Sequence, residues 1–376
     1  MRQLNFLLLL IGIPIFNVQA VEPSLITETG KTIASTVEDV SQVHSGQLLA
    51  DDADALWNVT QSWLDQTKTE SGGIVKLNLY ASSADQLRKL ESTVASRFAK
   101  GQCPPICSLV TLLPQEKRVA LDLVAIGGHE SQDVRTLKRG KEGARVLPAG
   151  KRIYISGQAA RNDDLQLATK ETITGLLESV RYLNRSNEDI ICLKAFVNEM
   201  AGVDRVYQAA VEVFGQGKEP PLVCVEWQSS VSVPIEIEMI VWGGEADPNL
   251  PVLEYKTVLD LPASPVFSRV CQINSGPTIY IAGLYSSADN AELEVKQSYG
   301  LLRKTLAATN SDMKHLVKAT YYVTDGATSS ALGSLRTKLY SPTRPPAASK
   351  ATVAVIGSHH QRFLMDMIAV PMAKEN

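Results

Sequence analysis

The chain has 376 residues, of which 44% are hydrophobic and 20% charged, and a formal net charge of −3. This composition excludes long disorder, and the length exceeds a single domain of about 100–200 residues, so two or three domains are expected. There is no basic surplus to drive nucleic-acid binding, and nucleic acid is set aside as a partner.

The N-terminus opens with Met1-Arg2, runs apolar from Leu4 to Phe16 and reaches the small residues Val18 and Ala20 ahead of Val21-Glu22-Pro23. A charged start, a short apolar core and small residues before a cut predict an export signal over 1–20, cleaved after Ala20. The run falls short of the roughly 20 apolar residues of a bilayer span, and a retained anchor is the rival reading. After cleavage the chain is expected off the membrane, in the periplasm or outside the cell.

A first unit follows over 25–126. Its strand "VHSGQLL" carries Ser45-Gly46, its first helix Leu56, Val59 and Trp63, and a second strand, "KLNLY", starts at Lys76. A second helix bears Leu87, Leu90, Val94 and Phe98; then "PPICSL" leads to the last strand, "RVALDLVAI", with Asp122. The polar connector "GGHESQDVRTLKRGKEG" separates it from a second unit over 143–242. That unit opens with a predicted hairpin turning at "LPAGK", and shows "IYISGQAA" with Gly157, a helix with Ile173, Leu176, Val180 and Leu183, and "KAFVN" from Lys194. A helix with Val203, Val206, Ala210 and Phe214 precedes "PPLVCV" and "PIEIEMIVW", which carries Glu238.

After "GGEADPNLP" the pattern returns over 252–371: a predicted hairpin at "NSGPT", "IYIAGLYS" with Gly283, then Val295, Tyr299, Leu302 and Leu306 on a helix. "KATYYV" from Lys318, a helix with Leu332, Leu335 and Leu339, "PPAASK" and "RFLMDMIAV" with Asp366 complete it. Helical steps of three and four place the apolar residues on core-facing stripes. Gly46 and Asp122, Gly157 and Glu238, and Gly283 and Asp366 are 76, 81 and 83 residues apart, the spacing of an internal repeat. Each copy reads ββαβαββ, an α+β fold.

The third unit, from Ser268 to Val370, resembles a whole protomer of the RidA (YjgF) enamine/imine deaminase family through "GPTIYIAG", "VKATYYVTD", "RPPAASKATVAV" and "FLMDMIAV". The second matches through "RIYISGQA", "LKAFVN", "EPPLVCVEW" and "IEIEMIVW"; the first keeps "SGQLL", "VKLNLY" and "LDLVAI". The resemblance implies three tandem RidA-like domains. Because RidA-like proteins are homotrimers with ligand clefts between protomers, it also implies a monomer closed as an intramolecular pseudo-trimer.

In that family an arginine beginning the penultimate strand holds a substrate carboxylate through its fork of donors, and a last-strand glutamate positions the attacking water. The resemblance assigns the water-positioning role to Asp122, Glu238 and Asp366, and backbone donation to ligand to Gly46, Gly157 and Gly283. The arginine position falls at Cys107 (or Ile106, given a gap), Val223 and Ala348. Lys350, two residues past Ala348, shares its strand face and offers a positive charge. Each residue has a plainer reading: the acids as the wet face of a sheet or a trimer-like contact, the glycines as tight turns, Lys350 as a solvent-facing lysine.

Five cysteines, Cys103, Cys107, Cys192, Cys224 and Cys271, match no zinc or redox spacing. Export permits a Cys103–Cys107 bridge, against burial as small hydrophobes. His44, His129, His315, His359 and His360 show no metal spacing, and neither metal nor cofactor is expected. Two functions stand. One is binding of a small molecule, a carboxylate or imine, in inter-domain clefts without the standard deaminase activity; the other is a diverged enamine/imine deaminase whose last-strand acid activates water. Clefts lined by Cys107, Val223 and Ala348 would differ, so one specialised site among three is also in view.

Overall fold

The computed structural model describes residues 23–28, 31–127, 133–228, 232–258, 264–357 and 361–373. The segment expected to be an export signal and its expected cleavage point, with His129, His359 and His360, lie outside them.

The first stretch folds as β1 (Ser24–Glu28), β2 (Lys31–Val37), β3 (Gln42–Ser45), β4 (Leu48–Ala50), α1 (Ala53–Thr67), β5 (Ile74–Ala81), α2 (Ala84–Ala95), β6 (Ile106–Val110) and β7 (Val119–Ile126). The second gives β8 (Arg135–Lys138), β9 (Ala144–Leu147), β10 (Lys151–Gln158), α3 (Leu165–Tyr182), β11 (Ile190–Val197), α4 (Val203–Phe214), β12 (Leu222–Glu226) and β13 (Ile235–Gly244). The third gives β14 (Leu253–Lys256), β15 (Val270–Ile273), β16 (Thr278–Leu284), α5 (Ala291–Ala308), β17 (Leu316–Val323), α6 (Gly326–Leu339), β18 (Ala347–Thr352), β19 (Val355–Ile356) and β20 (Phe363–Ala369). The mixed α+β fold is the one expected.

The helices start where short polar side chains cap them. Asp52, Ser83, Asp164, Asn290 and Asp325 each accept a hydrogen bond from a backbone N–H of the first turn, an interaction of about 1 kcal/mol apiece. Each pair of helices then lays its apolar stripe on one face of a sheet. Leu56, Trp63, Leu87 and Leu90 meet Leu77, Leu79 and Leu121; Ile173, Leu176 and Val206 meet Leu193, Ile237 and Met239; Val295, Tyr299 and Leu302 meet Ile279, Ala319 and Met365. Most of these side chains are fully buried, worth about 1.5–3 kcal/mol each for a residue the size of leucine.

The strand order departs from the expected hairpins. The strands flanking "LPAGK" do not pair with each other: β9 joins β3, while β10 joins β13 and β15. Around "NSGPT", likewise, β15 pairs with β10 whereas β16 pairs with β2 and β20. The resulting sheets run β1-β2-β16-β20-β17-β18, β12-β11-β13-β10-β15-β14 and β19-β6-β5-β7-β3-β9-β8. β9 and β15 thus join the sheets of the stretches that precede them, and β2 of the first stretch joins the sheet of the third. Asp39, in the connector after β2, reinforces the exchange: it pairs with the wholly buried Arg152 and accepts from Gly150 N at 2.9 Å, while Arg152 also donates to Gly276 O at 3.1 Å.

Two further expectations change. The second central strand does not start at a lysine: β5, β11 and β17 begin at Ile74, Ile190 and Leu316, so Lys76 and Lys318 are third residues and Lys194 is the fifth. Cys192, not Lys194, therefore occupies the place of Lys76 and Lys318. All five cysteines are free thiols, with no Cys103–Cys107 bridge.

Candidate functional site

Strand side chains alternate faces, so every second residue of a last strand points away from the helices and toward the other two sheets. On β7 these are Ala120, Asp122 and Val124; on β13, Glu236, Glu238 and Ile240; on β20, Leu364, Asp366 and Ile368. The three sheets meet there in layers. Tyr80, Ala120, Phe196, Tyr322 and Leu364 belong to one apolar cluster, and Val124, Tyr280, Val317 and Ile368 to another.

Between the clusters lies a charged layer that the sequence distributed over three clefts and the structure gathers into one. Lys76, Lys194, Lys318, Asp122, Glu238 and Asp366 all line a single cavity of about 70 Å³, with His44, Asn78 and Cys192. Lys76 Nζ donates to both Asp366 oxygens at 2.5 and 2.6 Å, and Lys318 Nζ stands 2.8 Å from Glu238 Oε1. The third pair is not made. Asp122 accepts instead from Asn78 Nδ2 at 2.8 Å and Tyr80 Oη at 2.7 Å. Lys194, one pleat farther along its strand, lies 5.7 and 5.5 Å over the Tyr80 and Tyr322 rings, a cation–π arrangement.

Burial opposes the Asp366 charge, yet Lys76, Lys318 and Lys194 outweigh it and hold the carboxyl below its ordinary value. Burial, with Lys76 and Arg152, lowers His44 to about 3, so its ring is neutral. Cys192, 3.9 Å from His44 Nδ1, is pushed up to about 12, chiefly by burial, and is no thiolate. Layer and chemistry together make this a charge-balanced contact among the three sheets.

The open cleft is elsewhere, between β13 and β18. A cavity of about 870 Å³ is lined by Gly157, Arg161, Trp227, Glu236, Phe267, Arg336, Ala348, Ser349 and Lys350. Glu236 occupies the layer filled by Ala120 and Leu364 in the other copies. Burial first, then the neighbouring Glu238, raise its carboxyl to about 7 against the opposing pulls of Ser349 and Lys350. Lys350 is half-buried rather than solvent-facing and donates to Ser329 Oγ at 2.7 Å. Burial and then Arg336 lower its ammonium, partly offset by Glu236. Arg336 reaches the cleft from α6, its guanidinium 5.2 Å over the Tyr321 ring and its buried Nε without a partner among the described residues.

The glycines separate the three boundaries. Gly157 faces a side chain: a Cβ there would stand 2.0 Å from Glu236 Oε1, and its amide donates to Ser349 Oγ at 3.1 Å. At the other two, backbone fills the space. A Cβ on Gly46 would meet Lys141 O at 2.4 Å, and the Gly46 amide is spent on Gly143 O at 2.7 Å. Gly283, at φ +67°, has Ile106 O 2.2 Å from its Cβ position. The residues at the expected arginine position there, Cys107 and Val223, are buried in the apolar cluster. In the third stretch the register corrects the expectation: Ser349, not Ala348, stands where Cys107 and Val223 do, since it pairs with Thr320 opposite Asp366 as they pair with Asn78 and Lys194 opposite Asp122 and Glu238, and Ala348 and Ser349 both line the open cleft. Glu236 and Arg336 escaped the sequence reading. Glu236 was detectable as the residue two before Glu238 on the same strand face; nothing in the spacing marked Arg336.

Among the described residues no group of three His, Cys, Asp or Glu side chains is placed to hold a metal, and no helix is long and apolar enough to cross a membrane.

Residues 260–370 match the family described as Endoribonuclease L-PSP. No curated protein matches the chain. Among solved structures, yeast Mmf1 is 23% identical, covering 32% of this chain and 99% of its own, with a TM-score of 0.24. NMB1025 of Neisseria meningitidis, a YjgF family member, is 18% identical over 32% of this chain and 96% of its own, TM-score 0.23. Rv2704 of Mycobacterium tuberculosis, from the YjgF/YER057c/UK114 family, is 17% identical over 26% and 82%, TM-score 0.24. Over residues 260–370, the chain is similar to the Endoribonuclease L-PSP family.

Proposed function

We propose that the chain is a single-chain pseudo-trimer that binds a small carboxylate metabolite in one cleft, between its second and third copies, without the standard deaminase activity of the family. The observation that carries this reading is the convergence of Lys350 and Arg336 on one cavity with Glu236 and the Gly157 turn. Arg336 brings from a helix the planar donors that the family places on the penultimate strand, and Lys350 adds a point charge. Strand exchange around the chain supports closure as a ring.

Glu236 favours a second reading. A carboxyl near pH 7 beside cationic groups is suited to general acid or base work, the role of a diverged enamine/imine deaminase. Two measurements separate the readings: a thermal-shift titration with pyruvate, and release of pyruvate and ammonia from freshly generated 2-aminoacrylate. Binding alone predicts a pyruvate-dependent shift abolished by Lys350→Ala with Arg336→Ala, and no hydrolysis above buffer. Hydrolysis abolished by Glu236→Gln would overturn binding alone in favour of the enzyme.

A further inference from the structure

Three short strands, β6, β12 and β18, lie at corresponding places in the three sheets. Ser108, Cys224 and Lys350 hold one position on them: each pairs with the residue that follows the partner of the last-strand acid, Leu79 after Asn78, Ala195 after Lys194 and Tyr321 after Thr320. Backbone groups alternate sides along a strand. Three residues on, Thr111, Trp227 and Val353 donate inward to Ala81 O, Val197 O and Val323 O, so Ser108, Cys224 and Lys350 turn their N–H and C=O outward.

What meets those outward groups differs at each strand. Ser108 O accepts from Gly357 N at 3.0 Å, beside the pairing of β19 with β6. Cys224 exchanges two hydrogen bonds with a side-chain amide: its N–H donates to Gln47 Oε1 at 3.3 Å, and Gln47 Nε2 donates to its carbonyl at 3.1 Å. Gln47 is wholly buried there. β18 is the outermost strand of its sheet, with Pro346 O taken by Ser268 N and Thr352 O by Gln228 N. Between them, the N–H and C=O of Lys350 have no partner among the described residues, and Lys350 lines the open cleft.

Register also explains the difference. Leu48, Gln158 and Leu284 stand opposite Leu121, Ile237 and Met365, each one residue before the last-strand acid, so Gln47, not Gly46, occupies the place of Gly157 and Gly283. The first stretch presents a glutamine to β12; the second presents a glycine to β18. Glu236 Oε1 lies 2.0 Å from where a Cβ on Gly157 would be, and no amide replaces that of Gln47 among the described residues. An unpaired strand edge is a hydrogen-bonding template. Gln47 shows, within this chain, the group that fits it: a planar amide that accepts and donates side by side.

We infer that the open cleft takes a carboxylate that also carries a carboxamide, its amide bonded to the Lys350 N–H and C=O as the Gln47 amide is to Cys224, and its carboxylate at Lys350 Nζ and Arg336. The inference rests on the carboxylate-binding reading and adds the second group. Backbone and ammonium of one residue supply the two contacts, so the ends of the ligand lie about a lysine side chain apart. A methyl ketone of the same shape keeps the acceptor but loses the donor, and leaves the Lys350 carbonyl unpaired.

The test is isothermal titration of the full chain with succinamate, 4-oxopentanoate and pyruvate. The first two differ only by an amide NH2 in place of a methyl group, and succinamate is expected to bind about tenfold more tightly, the worth of the hydrogen bond that the ketone lacks. Gly157→Gln with Glu236→Ala rebuilds in the second stretch the Gln47 and Ala120 of the first. With its fold checked by circular dichroism and thermal melting, this double variant should show no preference, because the chain's own amide fills the slot, whereas Glu236→Ala alone should keep it. Equal affinity of the parent for succinamate and 4-oxopentanoate would overturn the amide slot, without recourse to any variant, and leave carboxylate binding intact. A preference that persists in the folded double variant, or is lost in Glu236→Ala alone, would overturn its placement at Lys350. Failure of all three ligands would remove the underlying reading as well.

Discussion

Replacing Asp366 by leucine leaves the Lys76 ammonium, with 10% of its side chain exposed, without its carboxylate. Breaking a buried pair from one side costs about 3–5 kcal/mol, most of it the desolvation of the charge left behind. Lys76→Met together with Asp366→Leu removes both charges and leaves the layer balanced, with Lys194 and Lys318 facing Asp122 and Glu238. The double variant is therefore expected within about 1 kcal/mol of the parent, so that the second substitution restores most of what the first costs. Urea unfolding followed by tryptophan fluorescence measures it. The pH dependence adds a second reading: a carboxyl held below its ordinary value of 3.8 contributes stability that is present above that value and lost as pH falls through the depressed one. The gap between parent and Asp366→Leu should accordingly be full near neutrality and narrow under acid conditions below about pH 4. Single variants indistinguishable from the parent at pH 7 would refute the reasoning, since a solvated pair has nothing to lose.

Other outcomes follow from the cleft and the strand exchange. Glu236 binds its proton more tightly folded than unfolded, so stability should fall as pH rises from its ordinary 4.5 through about 7, by at most about 3 kcal/mol at 1.36 kcal/mol per unit, and less because the cleft admits solvent; Glu236→Gln should flatten that slope in pH-dependent unfolding. Neutralising Glu236 also removes negative charge from the cleft, so pyruvate affinity by calorimetry should strengthen from pH 8 to pH 6, whereas a base-catalysed turnover would rise in the opposite direction. Deleting the residues through Val37 uncovers the edge of β16 beside Ile279 and Ile281, and light scattering should then report association of chains where the parent gives one chain of 40.8 kDa.

The sequence disclosed the repeating unit because helix stripes such as Val295, Tyr299, Leu302 and strand alternation such as Leu121, Asp122, Leu123 are set by local geometry. It could not disclose which sheet receives a strand: β9 and β15 carry the same alternation whether they fold back at their turns or cross to a neighbour. Recurrence proved informative about a different feature from the cleft. Asp122, Glu238 and Asp366 recur because all three stretches contribute to the shared charged layer, whereas Glu236 stands in the layer of Ala120 and Leu364 and faces the open cleft. Lys194 shows the cost of aligning by residue type. It aligned with Lys76 and Lys318 as a lysine, but strand register puts Cys192 in their place, which is why one of the three ion pairs is missing.

Ligand stoichiometry is the most direct test of one specialised cleft. Calorimetric titration of the chain with pyruvate is expected to give one site per chain, abolished by Lys350→Ala with Arg336→Ala and untouched by Val223→Ala. Three equivalent sites per chain, or one site that survives loss of both cations, would contradict it.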